Sequence, residues 1–333
     1  MSKDINTRTS KRKKKKRKWT RVIGSVLVIL LIGIAGYFYN IYGHAKETVN
    51  DKMAKSVKSI NVSETKNKLE NKDILNILLL GVDERNEDTG RSDSLMILSL
   101  NPKNKTTAIV SIPRDTLAEI VGKGVKTKIN HAYAYGGADM TVATVENMLE
   151  IDLDYFVELN MQGLADLVDA LGGVTVNNEI EWYDEGYYKK GYHWQTGEIE
   201  LDGKKALGYV RMRHLDPKGD FGRTERQRKV INAMIKKGQS MATVAKLNDI
   251  IDALGDNMKT NISFTDMKFL VANYLDVTKN IVSYMLQGKD DTIKGVYYYN
   301  VPDDELKRVH SVLTGREDIA KLTLSETENN KNN

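Results

Sequence analysis

Arginine is concentrated in one short stretch of this sequence. The segment RMRHLDPKGDFGRTERQR, residues 211–228, carries five arginines in eighteen positions. A planar guanidinium fork binds two phosphate oxygens at once, and it costs less to desolvate than a lysine ammonium. These residues therefore indicate a site for a phosphate-bearing anion. The alternative is a structural network of salt bridges with Asp216, Asp220 and Glu225.

A second group of charged side chains lies earlier in the chain. It comprises Asp83, Arg85, Arg91, Asp93 and Arg114. Mg²⁺ prefers carboxylate oxygens and shares the oxygens of bound phosphates. Two aspartates beside several arginines thus indicate a metal-assisted phosphate site. Taken alone, the same residues also fit ordinary turns and solvated ion pairs.

Three predicted strands would bring this second group together. The apolar run Ile74–Val82 predicts a strand buried on both faces, and Leu95–Leu100 and Thr107–Ile112 follow it after short links. Short links imply antiparallel neighbours. Strands that run up, down and up place both aspartates and Arg114 at the same edge of the sheet.

The arginine stretch is predicted to use two elements. In an extended segment, Tyr209, Arg211 and Arg213 would point to one face. After a turn, a helix is predicted to begin near Arg223. One face of that helix changes from polar to apolar along its length and should point inward. That face contains Arg223, Gln227, Val230, Ile231 and Met234.

The remaining sequence predicts an α/β domain with three layers, α-β-α, around a mixed central sheet. Helices are predicted over Asp139–Leu149 and Gly163–Leu171, and from Ile231 the chain should be mainly helical until a closing strand at Val296–Val301. Residues 177–200 are aromatic, charged and aperiodic, which predicts a long loop, a hairpin or a lid. The absence of cysteine excludes disulfides and a cysteine nucleophile.

An apolar segment near the N-terminus predicts one transmembrane helix. Residues 22–43 carry no formal charge, and a helix of about 20 apolar residues spans the hydrocarbon core. The basic residues before it should stay in the cytoplasm, so the chain after residue 43 is expected outside the cell. The alternatives are a cleaved signal peptide, whose apolar core is usually shorter, and a basic arm that binds nucleic acid.

Charge divides the chain into a basic tail and an acidic body. Residues 1–21 contain eleven Lys or Arg and one Asp, a charge of +10, so the rest of the chain carries −5 of the formal net charge of +5. An acidic exported body does not favour a nucleic-acid partner. The predicted parts are a basic cytoplasmic tail (1–21), a transmembrane signal anchor (22–43), an extracellular stalk (44–73), a catalytic domain (74–320, with its motifs in 74–240) and a disordered tail (321–333).

Several longer motifs follow one another along the chain. They are ILLLGVDER (77–85), GRSDSLMILSLNP (90–102), SIPRD (111–115), KINHAYAYGG (128–137), LVDALGGV (167–174), LDGKKALGYVRMR (201–213) and DFGRTERQ (220–227). Taken in this order, they resemble the LytR-CpsA-Psr family of cell-envelope proteins. Their co-occurrence is far more specific than any one of them, and the anchor with its basic tail is also typical of this family.

The resemblance implies an extracytoplasmic phosphotransferase of the cell membrane. Such an enzyme takes an anionic glycopolymer, for example wall teichoic acid or capsule, from undecaprenyl pyrophosphate. It joins the polymer to the C6 hydroxyl of N-acetylmuramic acid in peptidoglycan. The resemblance also implies a long apolar pocket for the polyprenyl chain.

Motif positions imply a role for individual residues. Asp83 and Asp93 resemble the residues that hold Mg²⁺, and Asp93, Arg114 and Arg213 are expected to be catalytic. The implied pyrophosphate-binding set is Arg91, Arg114, Arg211, Arg213, Arg223 and Gln227, with Asp220 in the same motif.

Three other functions are alternatives. A pyrophosphatase acting on the same carrier lipid would use the same groups with water in place of the sugar hydroxyl. A non-catalytic protein would bind polyprenyl pyrophosphate without turnover. A transcriptional attenuator would need a cytoplasmic nucleic-acid domain, whereas only residues 1–21 precede the predicted anchor.

Overall fold

A computed structural model describes residues 43–83, 90–240 and 247–322 of the chain. The chain divides into two compact units, residues 1–47 and 48–333, and the described residues of the first unit are helical. The predicted cytoplasmic tail, nearly all of the predicted anchor and most of the C-terminal tail lie outside the described residues. Within the described ranges, no helix is long and apolar enough to cross a membrane.

A six-stranded mixed sheet forms the centre of the second unit. The strands of the described ranges are β1 (Leu75–Val82), β2 (Ser92–Asn101), β3 (Thr106–Ile112), β4 (Leu117–Ile120), β5 (Val125–Lys128), β6 (Tyr155–Asn160), β7 (Val174–Asn178), β8 (Trp182–Tyr183), β9 (His193–Trp194), β10 (Gly197–Leu201), β11 (Met258–Thr260), β12 (Ile281–Met285), β13 (Lys289–Ile293) and β14 (Val296–Asn300). The order in the central sheet is β11-β6-β1-β2-β3-β12. Strands β1, β2 and β3 are antiparallel neighbours, as predicted, whereas β6 and β12 run parallel to β1 and β3.

Helices cover both faces of this sheet. They are α1 (Val62–Asn71), α2 (His131–Leu149), α3 (Met161–Ala170), α4 (Gly203–Arg211), α5 (Asp220–Gly238), α6 (Leu247–Leu254), α7 (Phe264–Tyr274) and α8 (Asp303–Leu313). Successive side chains of β1 point to opposite faces. Leu78 packs in a core with Val142 and Val309, whereas Ile77 packs in another core with Leu69. The α/β class and the mixed sheet are thus confirmed.

The segment predicted as a stalk instead packs onto the domain over residues 48–72. It contains a π-helical turn, Thr48–Met53, followed by α1. Several of its apolar side chains, including Val57, Ile60 and Leu69, are buried, whereas Val62 is exposed. Burial of these apolar side chains favours packing on the domain, because a free stalk would leave them in water.

The C-terminal part differs from the mainly helical prediction. Strands β11 and β12 extend the central sheet at its two ends, and they are too short to give a clear period in the sequence. The predicted closing strand at Val296–Val301 forms β14, which pairs with β13 in a separate hairpin. Residues 177–200 form paired short strands, since β7 pairs with β10 and β8 with β9. Helix α2 begins at His131 rather than at Asp139, with a kink at Gly136 and Gly137.

Candidate active site

The sheet edge brings together Asp83, Asp93 and Arg114, as the strand order predicts. Asp83 follows β1, Asp93 lies at the start of β2, and Arg114 follows β3. Arg114 Nη1 donates a hydrogen bond to Asp93 Oδ1 at 2.6 Å. All three residues line a cavity of about 390 Å³, the charged cavity. Arg85, predicted nearby, lies outside the described residues.

Arg114 is held by carboxylates on several sides. Its Nε lies 3.7 Å from Asp115 Oδ2 and 3.5 Å from Asp220 Oδ2. Burial alone would lower the pKa of Arg114, but the charges of Asp220, Asp93 and Asp115 outweigh burial and raise that pKa. Arg114 is therefore a fixed positive charge with a defined orientation.

Arg211 and Arg213 reach the charged cavity by a different route from the predicted one. The segment is helix α4 rather than an extended stretch, and Tyr209 is fully buried in the protein. The helix ends at Arg211, the backbone then becomes extended, and both arginines line the cavity. Arg211 Nη2 lies 3.5 Å from Asp83 Oδ1, and Arg213 Nη1 lies 4.0 Å from Asp220 Oδ1.

Arg223, in the first turn of α5, is more buried than these two arginines, with its side chain 11% exposed. Its Nη2 lies 2.8 Å from Asp220 Oδ1, but hydrogen-bond geometry is lacking, and Nε and Nη2 have no hydrogen-bond partner among the described residues. Burial lowers the pKa of Arg223, with the neighbouring Arg114 and Arg213 acting in the same direction against Asp220. Buried unsatisfied donors are costly, and an anion in the cavity would satisfy them.

Arg226, three residues further along α5, has a structural role. It is 4% exposed and forms an ion pair with Asp216 through Nη1. Its Nε donates to the main-chain oxygen of Tyr209 at 3.1 Å, and its Nη2 donates to that of Met212. A Cβ at Gly222 would lie 1.8 Å from Asp216 Oδ2, so the helix approaches the turn closely. The alternative reading of the arginine stretch, a salt-bridge network, is correct for this arginine.

The charged cavity adjoins an apolar cavity of about 420 Å³. Met161, Val210 and Gln227 line both. The predicted face of α5 lines both cavities. Arg223 lines the charged cavity, and Gln227 lines the charged and the apolar cavity. The apolar cavity is lined further along this face by Val230, Ile231 and Met234. A single helix thus carries the change from charged to apolar lining.

Comparison with known proteins assigns the chain to a family. The family model LytR_cpsA_psr matches residues 36–314. The chain belongs to the LytR-CpsA-Psr family. It is 42% identical over 310 residues to the polyisoprenyl-teichoic acid–peptidoglycan teichoic acid transferase TagU of Bacillus licheniformis, covering 92% of this chain and 98% of that protein.

Solved structures of relatives share the fold. The crystal structure of Bacillus subtilis TagU matches with a TM-score of 0.59 and 42% identity, covering 73% of this chain and 96% of that one. A Streptococcus agalactiae protein matches with a TM-score of 0.69 and 37% identity, covering 74% and 89%. The resemblance inferred from the motifs is thus confirmed.

Aromatic side chains that the sequence analysis did not assign to the site line the charged cavity. Tyr187 stacks on His214 with ring centroids 4.4 Å apart, and the guanidinium of Arg211 lies 5.9 Å from the ring centre of Tyr188. Both tyrosines belong to the segment 177–200. The concentration of aromatic residues there was the available signal, but it did not reveal where they would point.

The described residues do not form a complete metal site by themselves. No group of three or more His, Cys, Asp or Glu residues that could hold a metal occurs in the described part of the chain. Asp83 and Asp93 nevertheless line the same cavity. Mg²⁺ is commonly held by one or two carboxylates together with substrate phosphates. The two aspartates fit an ion that binds together with a phosphate.

A third cavity, of about 470 Å³, also contains Asp83, Asp93 and Arg114 in its lining. We call it the far cavity. Arg91, which motif position groups with the pyrophosphate-binding residues, is exposed and lines this cavity. The three shared residues therefore stand between two cavities.

Proposed function

We propose that this protein is an extracytoplasmic phosphotransferase that transfers an anionic glycopolymer from undecaprenyl pyrophosphate to the C6 hydroxyl of N-acetylmuramic acid in peptidoglycan. The observation that carries the proposal is that an arginine-lined cavity adjoins an apolar one and shares Met161, Val210 and Gln227 with it. A lipid diphosphate has the matching order of charged head and apolar chain. The name of the TagU relative favours a teichoic acid as the polymer.

The arginines of the charged cavity are suited to the diphosphate. Arg223 has buried donors that lack hydrogen-bond partners among the described residues, and Arg211 and Arg213 line the same space. Guanidinium groups that face developing charge stabilise it most when water is excluded. We therefore assign these three side chains to neutralising the lipid phosphate as it leaves.

Asp93 and Arg114 are assigned to the reacting centre. The sugar hydroxyl attacks the phosphorus attached to the glycan, and the bond from that phosphorus to the lipid phosphate breaks. Arg114 holds Asp93 through its 2.6 Å hydrogen bond, which positions the carboxylate to accept the hydroxyl proton. In phosphoryl transfer, positioning and electrostatics account for most of the rate enhancement.

Asp83 and Asp93 are the residues that would hold Mg²⁺. When bound, the ion would neutralise phosphate oxygens and orient them. Support for this assignment comes from the two carboxylates in one arginine-rich cavity.

The sequence outside the described residues supplies the proposed location. Residues 22–43 carry no formal charge and follow a segment of charge +10. We propose that they anchor the protein in the cell membrane as a single-pass helix, with the catalytic domain outside. That location would place the cavities beside lipid-linked polymer and peptidoglycan.

A reconstituted transfer assay tests the proposal. Full-length protein in detergent, mixed with lipid-linked polymer and peptidoglycan, should attach labelled polymer to the insoluble glycan. Asp93→Ala and Arg114→Ala should remain folded by circular dichroism and lose transfer. Arg316→Ala, at an exposed arginine, is the matched control and should transfer normally.

Other outcomes would identify a different function. Release of soluble polymer without attachment would indicate a pyrophosphatase, and retention of the lipid without turnover would indicate a binding protein. Transfer at the wild-type rate by Asp93→Ala would remove the proposed site.

A further inference from the structure

The far cavity shares Asp83, Asp93 and Arg114 with the charged cavity. Apart from Val296, its remaining lining is polar and includes Asp115, Lys128 and Asn130. We propose that the far cavity is the acceptor subsite, which binds the sugar of the glycan strand whose hydroxyl receives the polymer. This inference rests on the proposed transferase function and adds a location and residues for its second substrate.

The order of the cavities fixes the direction of attack. A lipid chain in the apolar cavity places its own phosphate near Gln227, the residue shared with the charged cavity. The second phosphate, which carries the glycan, then lies nearer Asp93 and Arg114. In phosphoryl transfer the attacking and leaving oxygens are roughly in line with phosphorus. The hydroxyl must therefore approach from the side opposite to the lipid phosphate. The far cavity contains the reacting pair but shares no lining residue with the apolar cavity, so we assign the approach to the far cavity.

The bonds formed and broken in the proposed transfer balance. The acceptor oxygen bonds to the glycan-side phosphorus. The bond from that phosphorus to the bridging oxygen breaks, and its electron pair leaves with the lipid phosphate. Asp93 lines both cavities and takes the hydroxyl proton. No further reactant is required.

Asn130 lines the far cavity and has a buried, unsatisfied side-chain acceptor. The residue is 4% exposed, and its Oδ1 has no hydrogen-bond partner within the described ranges. Its main-chain N–H donates to the main-chain oxygen of Arg114 at 3.3 Å, which ties it to the reacting centre. A buried carbonyl oxygen without a donor is unfavourable. A sugar hydroxyl is a donor of the required kind.

His131 adds a second polar group to this cavity. Its Nδ1 lies 3.1 Å from Thr127 Oγ1, which orients the ring. Burial and the positive charges of Arg91 and Lys128 lower the pKa of His131, against the opposing charge of Asp115. A neutral imidazole results near neutral pH, and it can exchange hydrogen bonds with hydroxyl groups.

Aromatic residues of the β13–β14 hairpin lie beside this cavity. Lys128 Nζ is 2.7 Å from Asp115 Oδ1 and 5.6 Å from the ring centre of Tyr297. Tyr297 is 39% exposed, and its neighbour Val296 lines the cavity. Exposed tyrosine rings offer apolar faces to the C–H groups of sugars, with a polar tip in water. These features fit a glycan better than a second anion.

Acceptor kinetics of full-length protein test the proposal. The variants are Asn130→Ala and the exposed Tyr297→Ala, and the control is Tyr183→Ala, an exposed tyrosine on the β8 strand. We expect the first two to raise the KM for undecorated peptidoglycan oligomers about tenfold, because each loses one contact with the acceptor. The Kd for polyprenyl pyrophosphate should stay at the wild-type value, and the control should keep both constants.

The outcomes separate this inference from the proposed function. If wild-type protein transfers polymer and both variants keep the wild-type KM for acceptor, the acceptor subsite is elsewhere. A weaker Kd for polyprenyl pyrophosphate in both variants would also overturn the inference, because the far cavity would then serve the donor. Failure of the wild-type protein to transfer would overturn the proposed function and this inference with it.

Discussion

Two buried arginines on one helix have opposite surroundings. Arg226 donates through three of its nitrogens to Asp216 and two main-chain oxygens. Arg223, one turn earlier, is nearly as buried but has two nitrogens without hydrogen-bond partners in the described structure. Arg226 therefore stabilises the fold, whereas Arg223 has donors that are suited to a ligand.

The comparison shows why burial alone does not separate structural from functional arginines. Both guanidiniums have an aspartate nearby, Asp216 in one case and Asp220 in the other. The distinction lies in whether every donor is satisfied, since an unsatisfied buried donor is unfavourable unless a ligand uses it. Removal of each arginine should therefore have different consequences.

The largest effect is expected from Arg226→Ala. Removing one partner of a buried ion pair leaves Asp216 uncompensated, which costs about 3–5 kcal/mol of folding free energy. Urea denaturation followed by tryptophan fluorescence measures the loss. Arg223→Met is the matched variant and should unfold close to the wild-type midpoint. If both variants lost equal stability, the comparison would fail.

Arg223→Met should act on the reaction instead. Losing one preorganised donor to developing charge lowers kcat by roughly 10²–10³-fold. Transfer assays at saturating donor and acceptor measure this. Arg223→Lys should recover only part of the rate, because an ammonium lacks the planar fork. A wild-type kcat for Arg223→Met would show that its donors do not face the reacting phosphate.

Substitution of Glu225, which lies between Arg223 and Arg226 in α5, should give the smallest effect on the free energy of unfolding. Burial alone would raise the pKa of Glu225, but the hydrogen bond and charge of Lys218 and the charge of Lys229 outweigh it and lower that pKa. A lowered pKa stabilises the fold above the unfolded value of 4.5, and that stability is lost as the pH falls through the folded value. For a partly exposed pair, about 0.2–1 kcal/mol is expected.

Glu225→Gln checks this dependence. Its free energy of unfolding should fall below that of the wild type at pH 7, and the difference should shrink at pH 3.5. A difference that is constant across this range would show that Lys218 and Lys229 do not stabilise the carboxylate. In that case, the ion pairs of α5 would matter only where they are fully buried.

Part of the site was predictable from the sequence because it depends on local periodicity. Short links made β1, β2 and β3 antiparallel, which fixed the common edge of Asp83, Asp93 and Arg114. The inward face of α5 followed from helical spacing, so the change from Arg223 to apolar residues was also predicted correctly.

Other parts depended on tertiary packing. Alternation suggested an extended segment at Tyr209, but Asp202 caps a helix by accepting from the main-chain N–H of Lys205 at 2.7 Å. The spacing of Arg223 and Arg226 could not separate their roles, since the position of Asp216 in the turn before α5 decides which donors are satisfied. The proposed acceptor subsite required the folded position of residues 128–131 and of the β13–β14 hairpin, which are far apart in the chain.

The apolar cavity has the central sheet as one of its walls. Leu79 of β1, Leu98 of β2 and Val157 of β6 line it while also packing against a hydrophobic core. A ligand that binds only the folded form stabilises it, by about 2.7 kcal/mol at a concentration of 100 Kd. If the proposed lipid fills this cavity, it should therefore protect the protein from proteolysis, so the lifetime of the protein would follow the supply of that lipid.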